Sequence, residues 1–314
     1  MSNPWRGRFA PSPTGRLHLG NARTALLAWL QARAAGGTFL LRIEDLDAAR
    51  VRPGQVDTLL RDLEYLGLTW DEAPRYQSTR AEAYAAALER LDHAGRLYPC
   101  FCSRAEVARA ASAPHGPDDD GPRYPGTCAH LSPLERAARG ASRKPSRRFR
   151  CERGVTSFID GVHGSYAQEV ATAVGDFAVR RADGVASYQL AVVVDDADSA
   201  VTDVLRGDDL LGSTPRQIQI YRALGLEPPR FAHVPLVIGM DGKRLAKREG
   251  AYAIAELREA GVPAQRVLGL LATWSGLGRG EPVDAVELVD RFALDSIPRE
   301  PTRTSEESIR SALI

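Results

Sequence analysis

Arg6-Gly7-Arg8-Phe9-Ala10-Pro11-Ser12-Pro13-Thr14-Gly15-Arg16-Leu17-His18-Leu19-Gly20-Asn21 is the stretch on which the reading of the whole chain turns. Arg6 to Ala10 is short and fits a buried strand. Pro11 to Gly15 is dense in residues that break regular structure, and Asn21 to Ala35 is an Ala/Leu/Arg run with high helix propensity. The order is strand, tight loop, helix. A rigid loop of this kind sets His18 and Gly20 at the opening of a helix, where unpaired backbone N–H groups and the helix dipole favour a phosphate. Glycine permits close approach of a nucleotide, and a histidine there can donate to a phosphate oxygen as charge develops on it. Taken alone, His-x-Gly at a helix start is more often a turn with a surface histidine.

The pattern repeats outward from this point. Phe39-Leu40-Leu41-Arg42-Ile43 is a second strand candidate, ending in Glu44-Asp45-Leu46-Asp47. Val56, Leu59, Leu60, Leu63 and Leu66 fall at helical spacing from about Pro53 to Leu66. The alternation argues for an α/β fold with a parallel sheet. Gln189-Leu190-Ala191-Val192-Val193-Val194, capped by Asp195-Asp196, reads as a further buried strand. A helix is expected over Thr214–Leu224, with Pro215 near its start, and a strand over Val234–Ile238. From about Glu249 onward the pattern is mostly helical.

Composition sets wide bounds. The 314 residues are 44% apolar and 26% charged with a formal net charge of +1, an ordinary globular mixture with no global field for nucleic acid. No apolar run is long enough to span a bilayer, and Met1 to Ala10 lacks the apolar stretch of a secretory signal. Four cysteines are too few for a disulfide scaffold, so a reducing cytoplasm is the expected location, without membrane association.

A second loop matters as much as the first. Gly239-Met240-Asp241-Gly242-Lys243-Arg244-Leu245-Ala246-Lys247-Arg248 puts four cations within six residues. Such a run is commonly a solvated basic turn. It is also what a clamp on triphosphate oxygens requires.

Together the two loops resemble the HIGH-type and KMSKS-type signatures of class I aminoacyl-tRNA synthetases, in the form used by the glutamyl branch. Phe39 to Asp47, Asp203 to Leu211 and Ser213 to Gln217 agree, giving five ordered blocks across residues 8 to 248. Two departures stand out. The first lysine of the KMSKS-type motif is Arg244 and its serine is Ala246, while Asn21 replaces the last histidine of the HIGH form.

The resemblance implies a Rossmann-type catalytic domain split in two, over residues 1–98 and 188–248. Between the halves it implies an insertion, 99–187, with a zinc site and an acceptor-binding surface. A small helical module and tail would follow at 249–314, with no anticodon-binding domain. It further implies ATP with Mg²⁺ as a substrate and His18 and Lys247 as catalytic residues, with His18, Gly20 and Lys247 touching ATP. For glutamate it implies Arg8 and Arg206 on the carboxylates, Glu44 on the ammonium and Tyr188 in the pocket. Phe9, Ala10, Pro11 and Ser12 line the same strand and loop. The chemistry is coherent, because a guanidinium fork matches a carboxylate, and a neutral amide in its place would leave a buried cation unpaired.

Cys100-Phe101-Cys102 followed by Cys128 fits a closed structural zinc site in a segment with few core residues. Three buried reduced thiols are the competing reading. Donor chemistry alone favours His130 as the fourth ligand. Resemblance to the short glutamyl-Q tRNA(Asp) synthetases instead selects Tyr124, giving Cys100, Cys102, Tyr124 and Cys128, with Cys151 as an unliganded thiol. From Arg136 to Arg153 eight Lys or Arg accompany one acid, Glu152, which reads either as a surface for tRNA phosphates or as a solvated loop.

The function expected from this resemblance is ATP-dependent, tRNA-independent activation of glutamate, then transfer to the queuosine cyclopentenediol of tRNA(Asp), by a monomer. A truncated glutamyl-tRNA synthetase charging tRNA(Glu) and a non-catalytic tRNA- or nucleotide-binding paralogue are the alternatives.

Overall fold

The structure is a computed structural model and describes residues 4–110, 123–243, 245 and 252–313. Lys247, Arg244 and Ala246 lie outside the described residues.

The first half follows the expected alternation. β1 (Arg6–Phe9), α1 (Leu19–Ala34), β2 (Thr38–Ile43), α2 (Gln55–Tyr65) and β3 (Arg75–Tyr76) give a parallel sheet in which Phe9 pairs with Leu41 and Ile43 with Tyr76. α3 (Ala81–His93) and β4 (Leu97–Cys100) lead into the middle segment, which contains α4 (Arg104–Ala110), α5 (Pro133–Gly140) and β5 (Ser146–Phe149). A hairpin of β6 (Thr156–Asp160) and β7 (Gly164–Gln168), the short α6 (Val170–Ala173) and β8 (Phe177–Arg180) complete it. β4, β5 and β8 form their own antiparallel sheet.

The second half contains α7 (Tyr188–Asp198), β9 (Asp203–Gly207), α8 (Thr214–Ala223), β10 (Arg230–Val234) and β11 (Val237–Gly239). β9 and β6 flank β10, both parallel to it. The two halves meet where the Thr202 N–H donates to the Arg6 carbonyl at 2.9 Å, so β9 runs beside β1.

Residues 189–194, expected as a strand, are helical in α7. Gln189 through Asp196 are all buried, so the helix has no polar face and its period of 3.6 cannot be read. Burial against neighbours has overridden the β-propensity of Val192-Val193-Val194.

The last part contains α9 (Ile254–Glu259), α10 (Ala264–Trp274), β12 (Thr302–Thr304) and α11 (Glu306–Leu313). β12 is a strand that the mostly helical reading of this region did not include, and it pairs in parallel with β11, Val237 opposite Thr302. Val267, Leu268 and Leu271 of α10 and Ile309 of α11 share one apolar core with Leu26, Leu27 and Leu30 of α1. Arg23 of α1 ties these parts together. It is 1% exposed and donates to the Pro235 carbonyl at 2.6 Å and to the Ser275 hydroxyl at 3.1 Å.

Candidate active site

A cleft of about 540 Å³ opens where β1, α1, β9 and α7 converge, outside the carboxyl ends of the parallel strands. Its lining includes Arg8, Phe9, Ala10, Pro11, Ser12, His18, Gly20, Glu44, Tyr188 and Arg206. Every glutamate- or ATP-binding residue expected from the sequence is therefore in one cavity, apart from Lys247, which lies outside the described residues.

His18 precedes α1 in an extended conformation, and its carbonyl accepts from the Ala22 N–H at 2.9 Å. The imidazole thus stands at the helix mouth. A Cβ on Gly20 would meet no protein atom within 4 Å, so this position opens onto the cleft. The loop is braced from the far side. The Ile254 N–H donates to the Leu17 carbonyl at 2.8 Å, and the Leu19 N–H donates to the Tyr252 carbonyl at 3.3 Å.

Arg8 is 4% exposed, and its Nε donates to Asp196 Oδ1 at 3.2 Å. Arg42 contacts the same oxygen of Asp196 and reaches Glu44 Oε1 at 3.2 Å. Burial pushes the Glu44 carboxyl up, against the pull of Arg42 and Arg8. For Asp196, burial is outweighed by Arg42 and Arg8, and the carboxyl stays below its ordinary value. The Glu44 N–H donates to the Pro11 carbonyl at 3.0 Å, which fixes the acid against the loop after β1. Arg42 and Asp196 were not foreseen as site residues. The signal was a pair of acids closing an apolar run.

Tyr188 opens helix α7 rather than preceding a strand, and burial raises its phenol. Arg206 on β9 is 5% exposed, stacks 5.6 Å from the Phe231 ring, and among the described residues takes neutral hydrogen-bond partners. Its Nε donates to His233 Nε2 at 3.0 Å and its Nη2 to Thr214 Oγ1 at 2.8 Å and Gln217 Oε1 at 2.9 Å. Its Nη1 is buried without a hydrogen-bond partner among the described residues. Burial lowers its pKa from a very high starting value, so the guanidinium remains charged. His233, Thr214 and Gln217 gave no recognisable signal of this role in the sequence.

The expected metal site is a separate cluster. Cys100, Cys102 and Cys128 place their sulfurs within 4.8 Å of one another, with Cys102 Sγ and Cys128 Sγ 3.6 Å apart. Four ligands around a tetrahedral zinc at ordinary Zn–S lengths would have sulfurs about 3.8 Å apart, so the donor set fits the ion. Tyr124 is 3% exposed, and its hydroxyl lies 3.4 Å from Cys100 Sγ while accepting from the Cys128 N–H at 2.8 Å. His130 is exposed and is not part of the trio. A Cβ on Gly175, where φ is +76°, would lie 2.4 Å from the Tyr124 carbonyl oxygen, so only glycine admits this approach. Burial alone would raise the Cys100 thiol, but the Tyr124 hydroxyl and Arg148, whose Nε lies 3.2 Å from the sulfur, hold it below its ordinary value. Burial and the neighbouring sulfurs push Cys102 up to about 12. Cys151 stands apart and donates to the Gly175 carbonyl at 3.1 Å.

The basic run is partly committed to the fold. Arg143 pairs with Glu106 and Arg147 with Asp92, while Arg148 and Arg150 bind the carbonyls of Asp176 and Ala129. Arg139, Lys144 and Arg153 are exposed.

A family model for class I tRNA synthetases (E and Q), catalytic domain, matches residues 5–308. A glutamyl-Q tRNA(Asp) synthetase of Symbiobacterium thermophilum is 56% identical over 96% of this chain and 97% of its own length. Its counterpart in Nocardia farcinica is 51% identical over 94% of this chain and 91% of its own. The crystal structure of a glutamate-tRNA synthetase from Elizabethkingia anophelis superposes with a TM-score of 0.85 at 27% identity, covering 99% of this chain and 70% of that one. The cleft and these likenesses agree, and the chain belongs to the glutamyl-Q tRNA(Asp) synthetase family of class I (E and Q) tRNA synthetases, which are ligases.

Proposed function

We propose that the protein activates glutamate with ATP, without tRNA, and then transfers it to the cyclopentenediol of queuosine in tRNA(Asp). One observation carries the amino-acid assignment: Arg206 is a buried cation on the cleft wall whose described partners are all neutral and whose Nη1 is unpartnered. Such a group is strongly stabilised by an anion placed against its free face. Arg8 offers the second cation, and Glu44, at 10% side-chain exposure, offers the acid for an ammonium. One ammonium and two carboxylates are the charges of glutamate.

In the first step a carboxylate oxygen of glutamate attacks the α-phosphorus of ATP. The bond from that phosphorus to the bridging oxygen breaks, and pyrophosphate leaves with the electron pair. The N-terminus of α1, His18 and Lys247 stabilise the charge on the phosphate oxygens, and Mg²⁺ accompanies the ATP. In the second step a hydroxyl of the acceptor attacks the carbonyl of the mixed anhydride, an ester forms, and AMP departs. The relatives named for tRNA(Asp) support this acceptor, and the vicinal hydroxyls of queuosine resemble those of a terminal ribose.

Zinc fits Cys100, Cys102 and Cys128, with Tyr124 as the fourth group, and its role is structural. It would hold the 99–187 insertion in shape beside the catalytic halves at 1–98 and 188–248, with residues 249–314 as a module against α1. The protein acts as a monomer in the cytoplasm. Among the described residues no helix is long and apolar enough to cross a membrane.

The deciding experiment is transfer of labelled glutamate to tRNA(Asp) with and without queuosine. A base-labile ester confined to the modified tRNA is expected. Efficient charging of the 3′ end of unmodified tRNA(Glu) would reverse the acceptor assignment.

A further inference from the structure

His233 and Asp160 form a buried chain behind Arg206. His233 is fully buried on β10, and Asp160, 2% exposed, ends β6. His233 Nδ1 lies 2.6 Å from Asp160 Oδ2, and His233 Nε2 lies 3.0 Å from Arg206 Nε. The neighbours dictate the tautomer. Arg206 Nε is only a donor, so His233 Nε2 must present its lone pair, and the ring proton must sit on Nδ1 facing the carboxylate. Thr214 Oγ1, 3.1 Å from Nε2, completes the polar surroundings of the ring, and Phe158 and Phe231 flank it.

Asp160 is itself held rigidly. Its Oδ1 accepts the N–H groups of Val162 and His163 at 3.0 Å each and of His233 at 3.2 Å. The carboxylate therefore reaches Arg206 only through the imidazole. A carboxylate in direct contact with Arg206 would take the place of a substrate anion. Set back by the width of a ring, it offsets the buried cation and leaves Nη1 unpaired.

We propose that Asp160 and His233 are positioning residues for the amino-acid site: by fixing the Nδ1–H tautomer they turn Arg206 so that its Nη1 faces a substrate carboxylate. The inference rests on the assignment of glutamate to this cleft. It concerns how the chain builds an anion site from a neutral imidazole.

Asp160→Asn tests it sharply. Because Oδ1 is bound by three N–H groups, the amide oxygen of the variant must keep that side, and its NH₂ turns to His233 Nδ1. The ring proton is then driven to Nε2, directly against the Arg206 N–H. Glutamate-dependent ATP–pyrophosphate exchange by the full chain should show the KM for glutamate raised at least ~10-fold, with the KM for ATP within about 2-fold of wild type. His233→Gln has no tautomer to set, so Asp160→Asn added to it should change the glutamate KM little. Equal rises in both KM values, or an undiminished Asp160→Asn effect in the His233→Gln background, would overturn the proposal.

Arg206→Ala keeps the two readings apart. If this variant binds glutamate normally, the site assignment itself fails; if it loses glutamate while Asp160→Asn does not, only the positioning role fails. Should Asp160→Asn not fold, the ring nitrogens of His233 can be read directly in the wild-type protein by ¹⁵N NMR at neutral pH. The Nδ1–H tautomer is expected, and an Nε2–H or doubly protonated ring would refute the idea.

Discussion

The Ile254 N–H donates to the carbonyl of Leu17 at 2.8 Å, one residue before His18. An antiparallel bridge pairs His18 with Ala253 at the same point. The HIGH-type loop is thereby fastened to the chain that emerges from the KMSKS-type segment, 237 positions away by the pairing of Leu17 with Ile254.

From this pairing, His18→Ala and Lys247→Ala are each expected to lower the rate of pyrophosphate exchange by at least ~100-fold, the scale of losing one preorganised charge stabiliser. The KM for glutamate should move far less, because the charge these residues are proposed to meet develops on phosphate oxygens. Near-normal exchange in the Lys247 variant would transfer the role to Lys243, Arg244 or Arg248.

Arg206→Ala should raise the KM for glutamate by ~100-fold or more, as expected on removing a charged, buried hydrogen-bonding group. Glutamine should not replace glutamate in the wild-type protein, since its amide would leave the Arg206 cation without a counter-charge. Exchange kinetics with both amino acids measure this.

Asp196→Ala leaves Arg42, 3% exposed, and Arg8, 4% exposed, without the acid they share. Breaking a buried ion pair from one side costs about 3–5 kcal/mol. A lowered unfolding midpoint in denaturant, together with weakened glutamate binding, is the expected result. An unchanged midpoint would show that Glu44 and Asp195 suffice for Arg42.

Purified protein should contain close to one zinc per chain, lost in Cys100→Ser and Cys128→Ser with loosening of residues around 100–130. Metal analysis of Tyr124→Phe against His130→Ala identifies the fourth ligand. Geometry favours loss in the first, because Tyr124 lies beside the sulfurs and His130 is exposed.

Acid should destabilise the fold in a defined window. Burial holds His233 at about 4, below its ordinary 6.5, in spite of Asp160. Above about 6.5 the ring is neutral in both folded and unfolded chains, and no pH dependence arises. Between that point and about 4 the unfolded chain binds a proton that the folded chain does not, so stability falls with pH. Asp160 is held below its ordinary value, so its contribution is lost only below the usual carboxylate range. Thermal midpoints from pH 7 to 4 should fall less steeply for His233→Gln than for the wild type.

Much of the lining of the candidate site was legible without coordinates. Arg8, His18, Gly20 and Glu44 sit in short contiguous blocks, where loop, glycine and helix start are local features that neighbouring residues specify. The first strands and helices were legible for the same reason, because apolar spacing over a few turns reports which face is buried. Cys100, Cys102 and Cys128 also carried a readable spacing, whereas Tyr124 rested on the resemblance and donor chemistry pointed to His130.

Tertiary structure alone decided the rest. Helix α7 looked like a strand because burial on every side erases the polar face that would have shown its period. β12 is a strand only because β11 lies beside it, and three residues give no period of their own. Arg206 owes its orientation to His233, 27 positions away, and His233 owes its tautomer to Asp160, 73 positions away. The sequence determined which chemical groups this protein has and which local turns present them. Their charge states and aim depend on desolvation and on long-range hydrogen bonds, which exist only once β6, β9 and β10 lie side by side.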